Sequence, residues 1–322
     1  MEQDQIGQGR IAITHAGENL VEAILEKLTE SGLTPDSVVL LGDESKVGVK
    51  LAFGGSYLSV EDQYEFDYSE CSLVLLTQRD DQIALKLESQ SALVLSHVHG
   101  DGQSLIYAAN NNAELNISYT QQNIQLVSAE MACLLGVLPA LHAHKAIATI
   151  NTTFLRSVES KGKAGVDELA GQTVELLNGR DITPAVYPLQ IAFNIIPAMP
   201  IPDFDDDLAR LLGDANIECA HQIVDVPVFH GLAVSVQLSF QSKIDLNQCE
   251  KIFKELENVL YKTETSTPIT DCKQSFTCTI SGLEQAKNQP NKMQFWLVAD
   301  PLRYGLTANY VNAVDILVKS FL

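Results

Sequence analysis

The chain has 322 residues, of which 46% are hydrophobic and 19% are charged, a composition typical of a globular protein long enough for two domains. Its 21 basic and 41 acidic side chains give a formal net charge of -20, which repels phosphate backbones and anionic lipid and so argues against nucleic-acid and membrane partners. No apolar run has the length of a membrane span and the first residues form no signal peptide, so we expect a cytoplasmic protein. The six cysteines include no Cys-x-x-Cys pair, and we interpret them as reduced packing residues.

The first part of the chain alternates short apolar runs with helical patterns. The runs are typical of buried strands. They occur at residues 10–14, 38–41, 50–53, 56–60, 73–76, 92–95 and 124–127. Apolar residues at helical spacing predict helices at 20–28, up to Leu85 and at 131–141, and Gly54-Gly55 predicts a hairpin between two of the runs. This alternation indicates a parallel sheet covered by helices.

The second part of the chain has a different pattern. Strands are predicted at 147–154, 191–194, 224–240, 276–280 and 293–299. Helices are predicted at 165–177, 246–260 and 306–322. The stretch 184–202 contains several prolines and is predicted to be mainly loop. Strands that follow one another without helices favour an α+β domain with an antiparallel or mixed sheet.

Five sequence blocks match one known family in order and spacing. They are FGG at 53–55, LAGQTVELLNG at 169–179, IAFNIIP at 191–197, VPVFHG at 226–231 and QFWLVADPLRYGLTANYVNA at 294–313. On these blocks the chain resembles the aspartate-semialdehyde dehydrogenase family, and it is most similar to the Usg-type paralogues of that enzyme. The last block is the most specific of the five.

The resemblance implies a two-domain α/β fold. A Rossmann-like N-terminal domain at 1–145 would be completed by the C-terminal helix at 302–322, and an inserted α+β substrate and dimerisation domain would span 146–301. It also implies a homodimer and the NADP-dependent reductive dephosphorylation of aspartyl phosphate, a reaction of amino-acid biosynthesis. That chemistry needs a thiolate nucleophile, a histidine acid/base, and arginines that bind carboxylate and phosphate.

The resemblance assigns other residue types to the family's catalytic positions. The cysteine position falls on Ala129, whose methyl group cannot form a thioester, and the histidine position after Gly231 falls on Leu232. Cys133 lies one turn into an apolar helix without a cationic neighbour, so we interpret it as a packing residue. His230 would stand roughly 6–7 Å along a strand from the histidine position, which makes it a poor substitute.

The positions that bind the substrate's anionic groups differ as well. The family's substrate arginine falls on Asp225, which reverses the charge, and its glutamine falls on Arg156. Its Ser-Gly-Ala-Gly turn becomes Glu159-Ser160-Lys161-Gly162. Because a carboxylate at 225 repels a substrate carboxylate, we expect no catalytic residues of the family type in this chain.

The cofactor turn after the first strand lacks most of its glycines. The family's three glycines fall on His15, Glu18 and Val21, with Gly17 between them. Side chains at these positions restrict the turn and block a pyrophosphate, and Glu18 adds negative charge at a helix N-terminus. Asp43 would repel a 2'-phosphate but could bond a plain ribose. We expect no cofactor, or NAD or NADP bound weakly at best. The remnants of the cofactor site are Gly17, Asp43, Arg303 and Asn309.

Two further patterns contain metal-ligand residues. His97-Val98-His99-Gly100-Asp101 resembles the metal turn of binuclear hydrolases, but it lacks the histidine that normally follows the aspartate, and we interpret it as a polar loop. The acidic run at 203–207 could hold a hard cation, although acidic residues also favour a helix start. We expect no metal site from either pattern.

These differences predict a catalytically degenerate, homodimeric member of the family that binds a protein or small-molecule partner. The alternative is an NAD(P)-dependent semialdehyde dehydrogenase-type oxidoreductase whose site has been rebuilt from other residues. Titration with NADP and NAD distinguishes these two interpretations.

Overall fold

The computed structural model describes residues 9–98, 105–109, 123–272 and 274–321. The chain divides into two compact units. The first comprises Met1–Ala132 with Gly305–Leu322, and the second comprises Cys133–Tyr304. Each unit contains one β-sheet.

The sheet of the first unit is mainly parallel. Its strands are β1 (Arg10–Ile13), β2 (Val38–Gly42), β3 (Lys50–Phe53), β4 (Ser56–Asp62), β5 (Cys71–Leu76), β6 (Leu93–Ser96), β7 (Leu105–Ile106) and β8 (Asn123–Leu126). Their order is β3-β4-β2-β1-β5-β6-β8-β7, and each neighbouring pair is parallel except the hairpin β3–β4. Gly54 and Gly55 form the turn of that hairpin with φ angles of 56° and 76°, which confirms the predicted hairpin.

The helices differ in length and in how they begin and end. They are α1 (Asn19–Leu28), α2 (Asp81–Glu88), α3 (Ala129–Leu135), α4 (Leu138–His144), α5 (Gly162–Leu177), α6 (Phe204–Leu211), α7 (Leu246–Glu255), α8 (Pro268–Asp271) and α9 (Ala308–Phe321). A π-helical segment, Pro301–Thr307, precedes α9. The predicted apolar face of α1 is buried, as Ala23, Ile24 and Leu28 show. Within the described residues, no helix combines the length and the apolar character that crossing a membrane requires.

The second unit is built around a mixed sheet. Its strands are β9 (Ile147–Arg156), β10 (Ile196–Pro197), β11 (Glu218–Asp225), β12 (Leu232–Phe240), β13 (Val259–Tyr261), β14 (Cys278–Gln285) and β15 (Lys292–Ala299). Their order is β10-β11-β9-β12-β15-β14-β13. The pairs β9–β11 and β13–β14 are parallel and the others are antiparallel, so the predicted α+β character of this part is confirmed.

The two faces of this sheet have different compositions. Val234 lies between Phe154 and Leu297 in register, and all three are fully buried. The neighbouring row, Ser235 with Trp296 and Thr153, lies on the opposite face and is only half-buried. The apolar alternation of β12 and β15 therefore forms the core of the unit itself.

Several predicted elements have different bounds in the structure. The predicted helix 131–141 is two helices, α3 and α4, because Val137 leaves the helical region (φ -128°, ψ -46°) and Pro139 stands in the first turn of α4. The predicted strand 224–240 is two strands, since Gly231 has a φ of 86°. The predicted helices 246–260 and 306–322 occupy 246–255 and 308–321.

The predicted strand at 191–194 is wrong. The side chain of Gln172 on α5 accepts hydrogen bonds from the backbone N–H groups of Ile191 (2.9 Å) and Ala192 (3.1 Å), and Phe193 has a φ of 59°. These bonds fold the segment into a turn, and the short strand β10 begins only at Ile196.

Candidate functional site

The turn after β1 is held by side chains rather than by glycines. The Thr14 hydroxyl donates to the carbonyl of Leu75 at 3.1 Å, and the Thr77 hydroxyl donates to the carbonyl of Thr14 at 2.9 Å. Both threonines are buried. Since β1 and β5 are parallel neighbours, these bonds fasten the carboxyl ends of the two strands to each other.

His15, which the resemblance assigns to a family glycine, has the left-handed conformation that a glycine would favour, with a φ of 57°. Its backbone N–H donates to Gln63 Oε1 at 3.2 Å, and its ring Nδ1 lies 2.9 Å from the hydroxyl of Thr14. Its ring Nε2 lies 3.6 Å from the Asp80 carboxylate. Burial lowers the pKa of His15, although Asp80 opposes that change. The imidazole is therefore neutral at neutral pH and fills the turn.

Asp80 connects this histidine to two other elements. One carboxylate oxygen accepts from the backbone N–H groups of Gln82 and Ile83, both at 3.0 Å, and so caps α2. The other accepts from the Tyr64 hydroxyl at 3.0 Å. Burial tends to raise the pKa of Asp80, but the hydrogen bonds from Ile83 and Tyr64, together with His15, lower it. Sequence reasoning missed this cluster, because the only local signal is an aspartate before a helix.

Gly17 and Asp43, two of the predicted cofactor remnants, both lie close to Lys46. Gly17 has a φ of 92°, and a Cβ placed there would lie 3.3 Å from the Lys46 ammonium nitrogen. Asp43 accepts a hydrogen bond from the backbone N–H of Ser45 at 2.8 Å and begins the 3-10 turn Glu44–Lys46. The side-chain hydrogen bond from Ser45 lowers the pKa of Asp43. A ribose hydroxyl would have to compete with Ser45 for this carboxylate.

Glu18 and Val21, the other two glycine positions, differ in their surroundings. Glu18 stands at the N-cap of α1 with an exposed side chain that forms no capping hydrogen bond. Its charge stabilises the helix N-terminus and repels a second anion there. Val21 is fully buried in the core, so its position does not support the steric role that we inferred for it.

Asn309, a further predicted remnant, uses both ends of its amide on the backbone. Its Oδ1 accepts from the N–H of Ala108 at 2.8 Å, and its Nδ2 donates to the carbonyl of Ile106 at 3.2 Å. The side chain is 1% exposed. These bonds tie the end of β7 to α9.

His97 also contacts α9. Its ring Nδ1 lies 3.0 Å from the Tyr310 hydroxyl, which in turn donates to the carbonyl of Leu76 at 3.1 Å. Burial lowers the pKa of His97 to about 4. The other residues of the possible metal turn, His99 and Asp101, lie outside the described residues. No group of three or more potential metal ligands occurs in the described parts of the chain.

Ala129 is the first residue of α3, and the backbone N–H of Met131 donates to the Ser128 hydroxyl at 3.3 Å. A helix N-terminus lowers the pKa of a thiol, so this position suits a cysteine nucleophile, but alanine offers only a methyl group. Cys133, one turn later, is fully buried.

In the second unit, three positions assigned to the family's substrate site lie in one row across neighbouring strands. Arg156 on β9 is in register with Asp225 on β11 and with Leu232 on β12. Arg156 Nε donates to Asp225 Oδ1 at 2.8 Å, with 18% and 6% of the two side chains exposed. Burial and the nearby charge of Asp225 raise the pKa of Tyr187 to about 12. The arginine is thus paired within the unit, next to a buried phenol.

Two further polar side chains near this row, His230 and Cys272, have close polar neighbours. His230 Nδ1 lies 3.3 Å from a Glu159 carboxylate oxygen. Gly231 has a φ of 86°, and a Cβ there would lie 2.8 Å from Cys272 Sγ. The Cys272 thiol donates to the carbonyl of Pro268 at 2.9 Å, and burial raises its pKa to about 12. A thiol with that pKa does not form the thiolate that a nucleophile needs.

In the most specific block, Asp300 forms hydrogen bonds with the backbone that follows it, up to Arg303. Asp300 Oδ1 accepts from the backbone N–H groups of Leu302 (3.1 Å) and Arg303 (3.0 Å), at the start of the π-helical segment. Burial raises the pKa of Asp300. The Arg303 guanidinium lies 5.0 Å from the centre of the Phe276 ring, a stacking contact that fixes its plane.

The acidic run at 203–207 starts α6. Asp205 lies 2.9 Å from His221 Nδ1, and Asp207 lies 3.1 Å from Arg210 Nη2. Acidic residues in a first turn stabilise a helix N-terminus, and two of these carboxylates also contact basic side chains.

Comparison with known proteins identifies the family. Residues 138–304, just over half of the chain, match the family described as semialdehyde dehydrogenase, dimerisation domain. The chain belongs to the aspartate-semialdehyde dehydrogenase family.

Relatives from two bacteria agree with this family over nearly the whole chain. Aspartate-semialdehyde dehydrogenase 2 of Vibrio cholerae is 27% identical, over 98% of this chain and 99% of that protein. A USG-1 protein homolog of Pseudomonas aeruginosa is 25% identical, over 97% and 98% of the two chains. The crystal structure of aspartate semialdehyde dehydrogenase II from Vibrio cholerae has a TM-score of 0.87 at 24% identity, and covers 98% of this chain and 100% of that chain. The family and the fold implied by the resemblance are confirmed.

Proposed function

We propose that this chain is a cytoplasmic, homodimeric member of the family that does not catalyse the family reaction and acts as a binding or interaction protein. Its main support is Ala129, which stands at the helix start where that reaction would use a thiolate. A thioester intermediate needs a sulfur nucleophile, and the neighbouring Cys133 is fully buried.

The strand-end row of the second unit supports the same proposal. In the proposal, Arg156 binds a substrate carboxylate poorly because Asp225, whose Oδ1 accepts from Arg156 Nε at 2.8 Å, neutralises its charge. The row also contains Leu232, whose side chain can neither give nor accept a proton. A substrate anion approaching this row would meet Asp225 as a like charge.

The first unit supports weak or absent dinucleotide binding. His15 fills the turn, Lys46 lies over Gly17, and Glu18 and Asp43 add negative charge on the two sides. In the proposal Gly17 and Asp43 are remnants of the cofactor site, and Arg303 and Asn309 are kept for the local contacts described above.

A homodimer is supported by an exposed apolar patch as well as by the family. Within the segment 189–199, the side chains of Leu189, Phe193, Ile195 and Met199 are 59%, 66%, 65% and 85% exposed. Large apolar patches on a monomer are unfavourable, and an obligate dimer buries about 2,000 Å² or more. We propose that this patch contributes to the dimer interface. The proposed functional division remains a Rossmann-like part at 1–145 with 302–322, and a dimerisation part at 146–301.

The alternative, an oxidoreductase with a rebuilt site, is favoured by one observation. His230 lies beside Glu159 and carries a side chain that is about one-third exposed. A histidine oriented by a carboxylate is a possible acid/base. This alternative requires NAD or NADP to bind well, whereas the main proposal does not.

Calorimetric titration with NADP and NAD separates the two. We expect NADP to bind no tighter than about 1 mM, and any residual binding to favour NAD, since Asp43 suits a plain ribose. Asp43→Ala should then abolish that preference, while Asp36→Ala, on another exposed turn, should leave it unchanged. A micromolar dissociation constant for NADP would support the alternative and contradict the proposal.

A further inference from the structure

A cavity of about 400 Å³ opens on the second unit between the segment 263–268 and the strands β14 and β15. It is lined by residues that mostly carry hydroxyl groups. These residues are Thr263, Glu264, Thr265, Ser266, Thr267, Pro268, Ser281, Gly282 and Trp296.

An irregularity in the sheet makes room for this cavity. The pairing of β14 with β15 shifts between Ser281 and Glu284, so that β14 contains an extra residue at this point. Gly282, in the bulge, has a φ of 60°, which glycine adopts without strain. Bulges bend a strand and redirect its side chains. Trp296, in register with Ser281 just before the bulge, is half-buried at the cavity wall.

The rim of the cavity is held in place by hydrogen bonds. Ser266 and Ser281 are buried and their hydroxyl oxygens lie 2.7 Å apart. Asp271 accepts from the backbone N–H of Thr267 at 2.7 Å and pairs with Lys262. These contacts fix both ends of the segment 263–268, so a ligand would not have to order it on binding.

The lining chemistry restricts the ligand. Five hydroxyl groups line the cavity: Ser266 and Ser281 bond each other, Thr267 bonds Thr270, and Thr263 and Thr265 are exposed. A threonine hydroxyl can both donate and accept a hydrogen bond, and the indole of Trp296 offers an apolar face. No basic side chain occurs among the described residues that line the cavity, and Glu264 adds a negative charge, which disfavours phosphate and carboxylate ligands. We propose that this cavity binds a neutral polyhydroxylated ligand, a sugar or polyol, with C–H groups against Trp296 and hydroxyls towards the serines and threonines.

This site is separate from the features that support the proposed function. The cavity lies beside β14 and β15, towards one edge of the sheet. The exposed apolar patch at 189–199 surrounds β10, the strand at the opposite edge. The inference does not rest on the chain being inactive or dimeric.

The intrinsic fluorescence of Trp296 reports directly on the cavity, because Trp296 is the only tryptophan in the sequence. We expect titration with D-glucose and with myo-inositol to change its emission in a saturable way, with dissociation constants of about 1–10 mM. Acrylamide quenching of Trp296 should decrease at saturation. Linear, non-saturating changes identical to those of free N-acetyltryptophanamide would overturn the proposal.

Variants of the lining hydroxyls locate the site. Thr263→Ala and Thr265→Ala, both on exposed lining residues, should each weaken binding about fivefold, the usual effect of one lost hydrogen bond, while Thr183→Ala, on an exposed loop elsewhere, should not. Thr265→Ala alone suffices if Thr263→Ala does not fold. Glu264→Gln should leave polyol binding within twofold. A response to ethanolammonium but not to either polyol, lost in Glu264→Gln, would show an ammonium site and refute the polyol assignment.

Discussion

Replacing Asp225 with asparagine should destabilise the second unit by removing a carboxylate charge that pairs with the mostly buried Arg156. Arg156 Nε donates to Asp225 Oδ1 at 2.8 Å, and the two side chains are 18% and 6% exposed. Breaking a fully buried ion pair from one side costs about 3–5 kcal/mol, because the remaining charge is left unpaired. Since part of Arg156 still contacts water and the asparagine oxygen can still accept, we expect about 2 kcal/mol for Asp225→Asn.

Urea unfolding followed by circular dichroism measures this loss. Arg156→Gln with Asp225→Asn should cost less than the sum of the single changes, by about 1 kcal/mol or more, because no unpaired charge remains in the double variant. The matched control is Arg210→Gln, which breaks an exposed pair with Asp207 at 3.1 Å and should cost no more than about 0.5 kcal/mol.

An Asp225→Asn variant as stable as Arg210→Gln would refute this reasoning. It would mean that Arg156 is adequately solvated without its partner. Arg156 would then be free to bind an external carboxylate, and the main argument for an occupied substrate row would fail.

Three further predictions concern single residues. Burial lowers the pKa of His97 to about 4, so between pH 4 and 6.5 the unfolded chain binds a proton at this histidine and the folded chain does not. The free energy of unfolding should therefore be highest above pH 6.5 and fall by about 3 kcal/mol as the pH is lowered from 6.5 to 4. His97→Gln should remove that part of the pH dependence of the urea midpoint, and an unchanged dependence would contradict the assignment. Light scattering of the wild-type chain should give twice the chain mass of 35.2 kDa, and a wild-type monomer would refute the dimer. Phe193→Glu should shift the measured mass towards 35.2 kDa, whereas Leu85→Glu, at another exposed apolar site, should not. Asn309→Ala should lower the free energy of unfolding by about 2 kcal/mol, because it removes two buried hydrogen bonds. The control Asn178→Ala, at an exposed position, should lower it by about 0.5 kcal/mol. Equal losses in the two variants would contradict the structural role of Asn309.

Local patterns were sufficient for elements whose partners are close in sequence. The hairpin β3–β4 follows from two glycines that adopt positive φ angles between apolar runs. The burial of α1 follows from the spacing of its apolar residues alone. In both cases the residues that decide the structure lie within a few positions of one another.

Elements decided by distant side chains could not be predicted. The turn at Ile191 depends on Gln172. This contact has no signature in the local hydrophobic pattern, since a helix or strand period describes burial but not a particular partner.

The same limit applies to the candidate site. The sequence resemblance indicated that His15 and Asp225 differ from the family, but not that each is paired within its own unit. His15 meets Asp80 only because β1 and β5 are neighbours, and Asp225 meets Arg156 only because β9 and β11 pair in that register. The sequence thus predicted which residue types occupy the candidate site, whereas the hydrogen-bond and charge partners of those residues could be identified only from the fold.

The central claim, that this chain does not carry out the family reaction, is tested most directly by turnover. Purified protein should show no phosphate-dependent oxidation of aspartate semialdehyde with NADP above a buffer blank, because Ala129 supplies no thiolate and Leu232 no proton transfer. Ala129→Cys with Leu232→His should not restore the reaction while Asp225 is present. Turnover by the wild-type chain that persists through repurification at constant specific activity would contradict the claim.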